Sequence, residues 1–84
     1  MNDSNEILTK VREVFKTSFN IDPEKVTAET KASDIPGWDS MGHLSLASNL
    51  EQAFKISLDV DDMMEMENVR EILRIIQAKQ AKGA

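Results

Sequence analysis

Apolar residues recur along this chain at helical spacing, and nowhere do they alternate convincingly as they would in a strand. Ile7, Leu8, Val11, Val14, Phe15 and Phe19 fall on one stripe of a helix over residues 4–19, with Glu6, Lys10, Glu13 and Lys16 outside it. Asp3 and Glu6 stand at capping-box spacing, with Asp in place of Ser or Thr. A chain with this period buries its apolar faces helix against helix. The predicted fold is all-α: a small four-helix bundle with a short third helix and a long loop between helices one and two. With 84 residues, 40% of them hydrophobic, there is material for one modest core, so residues 1–84 are expected to form a single domain.

The second helix spans residues 40–54, with Asp39 as its N-cap. At about 100° per residue, Leu46, Ala47, Leu50 and Phe54 share a face with His43 among them. Met41 and Leu44 fall toward an adjacent face, at the edge of the core or in water. Residues 59–66 suit a short third helix, capped by Asp59, with Asp61 and Asp62 in the first turn where negative charge is favourable. Residues 69–81 form the last helix, with Asn68 as cap, Glu71 at the capping-box position, and Val69, Ile72, Leu73 and Ile76 as its buried stripe. Lys79 and Lys82 suit the negative end of its dipole.

Between the first two helices lie about 19 residues without sustained period, long for a compact domain. Asp22-Pro23 has the cap-then-proline order that opens a helical turn, and Pro36-Gly37 marks a turn. Ile21, Val26 and Ile35 are expected to pin this loop to the core.

Composition removes several classes of function. The absence of cysteine excludes disulfides and thiolate metal sites, and suits a reducing cytoplasmic setting. No apolar run nears the roughly 18 residues of a membrane span, and the start, MNDSNEILTK, lacks the layout of a signal peptide. Residues 34–67 hold eight acids against one base, Lys55; that segment carries −7 of a net −5, which leaves +2 elsewhere. Such a surface repels phosphate backbones, so no nucleic acid is expected as a partner, and it attracts basic protein surfaces. An EF-hand loop starting at Asp59 would need Gly and Glu where Met64 and Arg70 stand, so no specific metal site is expected. Met63, Met64 and Met66 read as soft core and rim.

The stretch Ile35-Pro36-Gly37-Trp38-Asp39-Ser40-Met41-Gly42-His43-Leu44 delivers Asp-Ser to a helix start. Ser40 then projects from the first turn, where backbone N–H groups are unpaired and the dipole is positive, a favourable field for a phosphate ester on its hydroxyl. An isolated Asp-Ser has a plainer meaning, ordinary N-capping. Gly42 is a poor helix former, which suggests a close approach there or a tolerated cost.

In its context the motif carries more. GWDSMGHLSLASNLEQAFKI, opening the second of four helices in an acidic 84-residue chain, resembles the acyl carrier proteins, the phosphopantetheine-binding carriers that have Asp-Ser-Leu at this place. The resemblance covers nearly the whole chain. It implies that Ser40 is the attachment point of a 4′-phosphopantetheine cofactor, installed from coenzyme A by a phosphopantetheinyl transferase that reads Asp39 and holds Mg²⁺. The arm's thiol would carry acyl groups as thioesters and present them to acyl-loading and acyl-processing enzymes of fatty-acid, polyketide or related lipid biosynthesis. The carrier itself, expected to be a monomer, catalyses nothing.

Two departures from the family pattern matter. Met41 replaces the usual Leu, a volume-conserving change. The second helix has one acid, Glu51, and the acidic character has moved to residues 59–67, which points to a specialised carrier with its own partners. Docking is expected on Met41 and Leu44, flanked by Glu51, Asp61 and Asp62. His43 follows Ser40 by about one turn, but no oxyanion-hole signature accompanies it and the chain is too short to exclude water around a catalytic triad. It reads as a core-edge histidine or as a contact for the arm. Trp38 reads as a ring over the loop–helix junction, or as a contact for pantetheine or partner. Two rival functions stand beside the acyl carrier: an aminoacyl or peptidyl carrier, and an unmodified adaptor docking through the second helix.

Overall fold

Four helices form where the apolar period places them. The computed structural model describes residues 4–83: α1 (Ser4–Phe19), α2 (Ser40–Phe54), α3 (Val60–Glu65) and α4 (Val69–Gly83), with 3-10 turns at Pro23–Lys25 and Ala32–Asp34 in the loop after α1. Among the described residues the backbone makes no strand, only an isolated antiparallel bridge between Lys31 and Asn68. The all-α expectation therefore holds. The expected capping partner Asp3 and the Lys82 side chain lie outside the described residues.

Helix starts follow side-chain oxygens. Asp39 Oδ1 accepts from the Gly42 N–H at 2.9 Å, and Asp59 Oδ1 from the Asp62 N–H at 2.8 Å, while Asp62 Oδ2 accepts from the Asp59 N–H at 3.1 Å. Each pair satisfies amide groups that have no partner in the helix itself. The start of α4 is served by Asn68, whose Oδ1 accepts from the Glu71 N–H at 2.9 Å. The long loop serves it too: the Val69 and Arg70 N–H groups donate to the Thr30 and Ala28 carbonyls at 2.9 and 3.1 Å. Thus one segment caps a helix 40 residues later in sequence, and this is how a long loop stays ordered.

The core is drawn from α1 (Ile7, Val11, Val14, Phe15), α2 (Leu46, Ala47, Leu50, Phe54) and α4 (Val69, Ile72, Ile75, Ile76). Val26, Ile35 and Trp38 enter it from the long loop, with Ile21 packed against its edge; Leu58 and Met66 flank α3. Each fully buried Leu, Ile or Phe contributes about 1.5–3 kcal/mol. The last helix corrects one expectation: Ile75 is buried and Leu73 only partly so, because α4 meets the core on a face rotated slightly from the one its apolar spacing suggests. The short helix α3 contributes no buried residue at all. It is held by Met63, partly buried against the core, and by polar ties to its neighbours.

Candidate functional site

The approach to α2 is a tight turn. Gly37 has a φ of 91°, a left-handed conformation that glycine adopts without strain, and Trp38 N–H closes back on the Ile35 carbonyl at 3.2 Å. The Gly37 carbonyl then presses on α2 at Gly42, where any Cβ would collide with it and crowd the Phe19 ring. Of the two meanings open for Gly42, close approach is the right one, and what approaches is the chain's own turn.

That contact fixes Trp38, Asp39 and Ser40 relative to the helix. Trp38 is 7% exposed. Its ring stands edge-on to Phe15 at 5.2 Å and stacks on Phe19 and His43, each at 6.1 Å. Its Nε1–H donates to His43 Nδ1 at 2.7 Å. Because an indole nitrogen can only donate, Nδ1 accepts and the imidazole proton sits on Nε2. Nε2–H in turn donates to the Met63 carbonyl at 2.7 Å. Both nitrogens of His43 are thereby committed, one to the loop and one to α3. With Asp39 Oδ1 on the Gly42 amide, Ser40, His43 and Asp39 form no hydrogen-bonded relay.

Ser40 is the first residue of α2 and is exposed. Among the described residues its hydroxyl has no hydrogen-bond partner, and neither do the Ser40 and Met41 amides. Beside it opens a cleft of about 700 Å³, walled by Lys31, Ser33 and Trp38 on the loop side and by Met63, Met64 and Met66 on the other. His43 and Glu67 also line it.

The residues expected to meet partners divide into two groups. Met41 is 80% exposed and Leu44 59%, and Asp61 is exposed with no ion pair among the described residues. Glu51 and Asp62 are engaged inside the fold. Glu51 Oε2 accepts from the Leu58 N–H at 2.8 Å, bracing the turn into α3. Asp62 pairs with Lys79 at 2.8 Å, and the Lys79 ammonium holds its carboxyl below the usual range while Asp62 raises the Lys79 value. Glu65 pairs with Arg74 at 2.7 Å. Lys79, placed by its sequence position as a dipole partner, is thus also a clamp on α3. Sequence reasoning passed over Val60, which is 69% exposed; Met64, read with Met63 and Met66 as soft core and rim, is 72% exposed. Their i, i+4 spacing in a six-residue helix was the available signal. No three His, Asp or Glu side chains gather as a metal site among the described residues.

Comparison with known proteins places this geometry. Residues 9–76 match the family described as the phosphopantetheine attachment site. The acyl carrier protein of Thermosynechococcus vestitus is 31% identical over 81 residues, which cover 96% of this chain and 99% of that one. A non-reducing polyketide synthase of Monascus ruber is 35% identical over 72 residues, 86% of this chain but only 3% of that enzyme's length. The solution NMR structure of holo acyl carrier protein from Geobacter metallireducens has a TM-score of 0.81 at 30% identity and covers 90% of this chain and 87% of its own. The chain belongs to the phosphopantetheine-attachment family as an acyl carrier protein, a carrier and not a catalyst.

Proposed function

We propose that Ser40 is the residue that bears 4′-phosphopantetheine, and that residues 1–84 act as one carrier unit. The observation that carries this reading is the free, exposed Ser40 hydroxyl at the N-terminus of α2, beside an open cleft. The local chemistry fits a phosphodiester. The unpartnered Ser40 and Met41 amides and the positive end of the helix dipole favour an anion there, by about 0.3–1 kcal/mol at an exposed site. When bound, the group supplies a terminal thiol that holds an acyl group as a thioester. The protein's part is to fix the attachment point: Asp39 caps the helix, and Gly42 lets the turn seat Trp38 and Ser40 against it.

Members of this family work with a phosphopantetheinyl transferase and with biosynthetic enzymes. For this chain the docking surface is Met41 and Leu44, with Asp61 as the free acid nearest in character to a rim charge. Glu51 and Asp62 add to the negative field, though their carboxylates are already bonded. The segment from 34 to 67 carries −7, so the partners have basic docking faces and act in fatty-acid, polyketide or related lipid biosynthesis, in the cytoplasm.

Incubation with coenzyme A, Mg²⁺ and a broad-specificity transferase tests the assignment. Intact mass rises by one phosphopantetheine, and Ser40→Ala abolishes the gain while keeping the fold. No gain on well-folded wild-type protein overturns it and leaves the adaptor reading.

A further inference from the structure

The methionines of the described residues stand in two different environments. Met66 is 2% exposed, and Met63 is partly buried against the core. Met41 is 80% exposed and Met64 72%. These two exposed thioethers are not scattered over the surface. Met41 follows Ser40 on the first turn of α2, and Met64, on α3, lines the cleft that opens beside Ser40. They flank the serine from two helices, so an enzyme seated over the Ser40 hydroxyl meets them.

A methionine sulfur is soft and polarisable, and its oxidation follows access. Its lone pair attacks one oxygen of a hydroperoxide, the O–O bond breaks, and an S–O bond forms. The transferred oxygen's proton passes to the departing hydroxide, which leaves as water. Sulfur loses two electrons and the peroxide gains them. The product carries a polar oxygen where an apolar side chain stood. At Met66 that oxygen would be an unpartnered polar group in the core. At Met41 and Met64 water solvates it, so the fold is untouched and only the contact surface changes. A partner that seats there must strip water from the new oxygen, and an apolar contact does not repay that. Leucine, the family's usual residue at position 41, has similar volume and no reactive sulfur.

Resting on the docking surface proposed above, we infer that Met41 and Met64 are modification sites, converted to sulfoxides by hydroperoxides on the folded protein, and that this slows the loading of Ser40 until a thiol-dependent sulfoxide reductase reverses it. In the reversal two reductase thiols become a disulfide and the oxygen leaves as water.

The test treats the apo protein with hydrogen peroxide, removes the excess with catalase, and maps the oxidised residues by tandem mass spectrometry. Met41 and Met64 are oxidised about tenfold faster than Met66 or more, with the circular dichroism spectrum unchanged. Loading from coenzyme A by a broad-specificity transferase is then followed by intact mass, each protein against its own untreated sample. For wild type, kcat/KM falls about fivefold or more on oxidation, as the loss of apolar anchors does. Reductases acting on both sulfoxide epimers restore it. The variant Met41→Leu with Met64→Leu changes by less than about twofold on the same treatment. Untreated wild-type protein that does not load at Ser40 removes the carrier reading, and this inference with it. With loading achieved, three results overturn the inference alone: oxidation spread evenly over Met41, Met63, Met64 and Met66, fully oxidised protein that loads at the untreated rate, or an equal fall in the double leucine variant.

Discussion

Trp38 and His43 share a hydrogen bond of 2.7 Å between stacked rings whose planes differ by 12°. The indole nitrogen can only give a proton, so this bond decides which imidazole nitrogen accepts and which one reaches α3. Trp38→Phe keeps an aromatic ring on Phe15 and Phe19 but removes the donor. The expected loss is about 1–2 kcal/mol, from an unpaired part-buried acceptor and lost ring area. Urea unfolding followed by circular dichroism measures it, since the substitution deletes the chain's single tryptophan. A variant as stable as wild type would mean the bond organises nothing.

Gly42 is expected to break the usual helix rule. In an exposed first turn, Gly→Ala ordinarily gains up to about 1 kcal/mol. Here the added methyl meets the Gly37 carbonyl, a backbone atom in a turn that cannot simply rotate away. Gly42→Ala should therefore destabilise by about 1–3 kcal/mol, the range for overpacking. It should also slow pantetheinylation, because the displaced turn carries Asp39 and Ser40. A rise in melting temperature contradicts this account.

What could be read from the residues, and what could not, follows from the range of the forces. The bounds of α2, the caps at Asp39, Asp59 and Asn68, and the turn at Asp22-Pro23 are local events set by neighbours in sequence, and they were legible. The exposure of Met41 and Leu44 followed from angular position alone. The commitments of Glu51 to the Leu58 amide and of Asp62 to Lys79 were not legible, because each joins residues that only the packed chain brings together. A run of acids looks the same in sequence whether it faces a partner or its own last helix. The same holds for His43, whose role depends on a carbonyl 20 residues away. Ile75 was missed because a helical stripe marks a direction, and the neighbouring helices decide its width.

At the end of α2 the chain turns through Lys55 at φ 55° and ψ 48°, the left-handed cap position that glycine usually fills. A side chain in this conformation carries about 1–2 kcal/mol of steric cost. Lys55 is exposed, so its ammonium adds nothing to the core. Lys55→Gly is expected to stabilise the fold by about 1 kcal/mol, partly offset by the freedom glycine adds to the unfolded chain. Thermal unfolding at constant pH reads the gain, and a loss of stability would show that the lysine stem does structural work at this turn.

The Asp62–Lys79 pair gives α3 a dependence on pH and salt. The folded-state value of Asp62 is depressed, so its stabilisation is present above the ordinary carboxyl range and is lost as pH falls through the lowered value, below about 4. The folded-state value of Lys79 is raised, so its share persists until pH climbs beyond the ordinary lysine range. Lys79→Met should lower the urea midpoint at pH 7, with the gap to wild type closing as pH drops below about 4. Because the pair is partly exposed, the gap also narrows in high salt. A difference that stays constant from pH 3 to pH 7 would assign the effect to the lysine stem and not to its charge.

Met41 and Leu44 separate docking from folding. Both side chains stand mostly in water, at 80% and 59% exposure, so Met41→Ala with Leu44→Ala removes little buried surface and the melting temperature should shift by no more than about 2–4 °C, as surface changes of about ±0.5 kcal/mol do. Their loss is expected in the encounter with the transferase. An interface of this kind depends on a few apolar anchors, each worth about 1–2 kcal/mol, so kcat/KM for pantetheinylation should fall by about tenfold or more. Asp61→Asn on the same background should mainly slow association and weaken its salt dependence, as a rim charge does. If the double alanine variant is modified as fast as wild type while Ser40 remains the modified residue, partners seat elsewhere, and the apolar ridge of Val60 and Met64 on α3 becomes the surface to alter next.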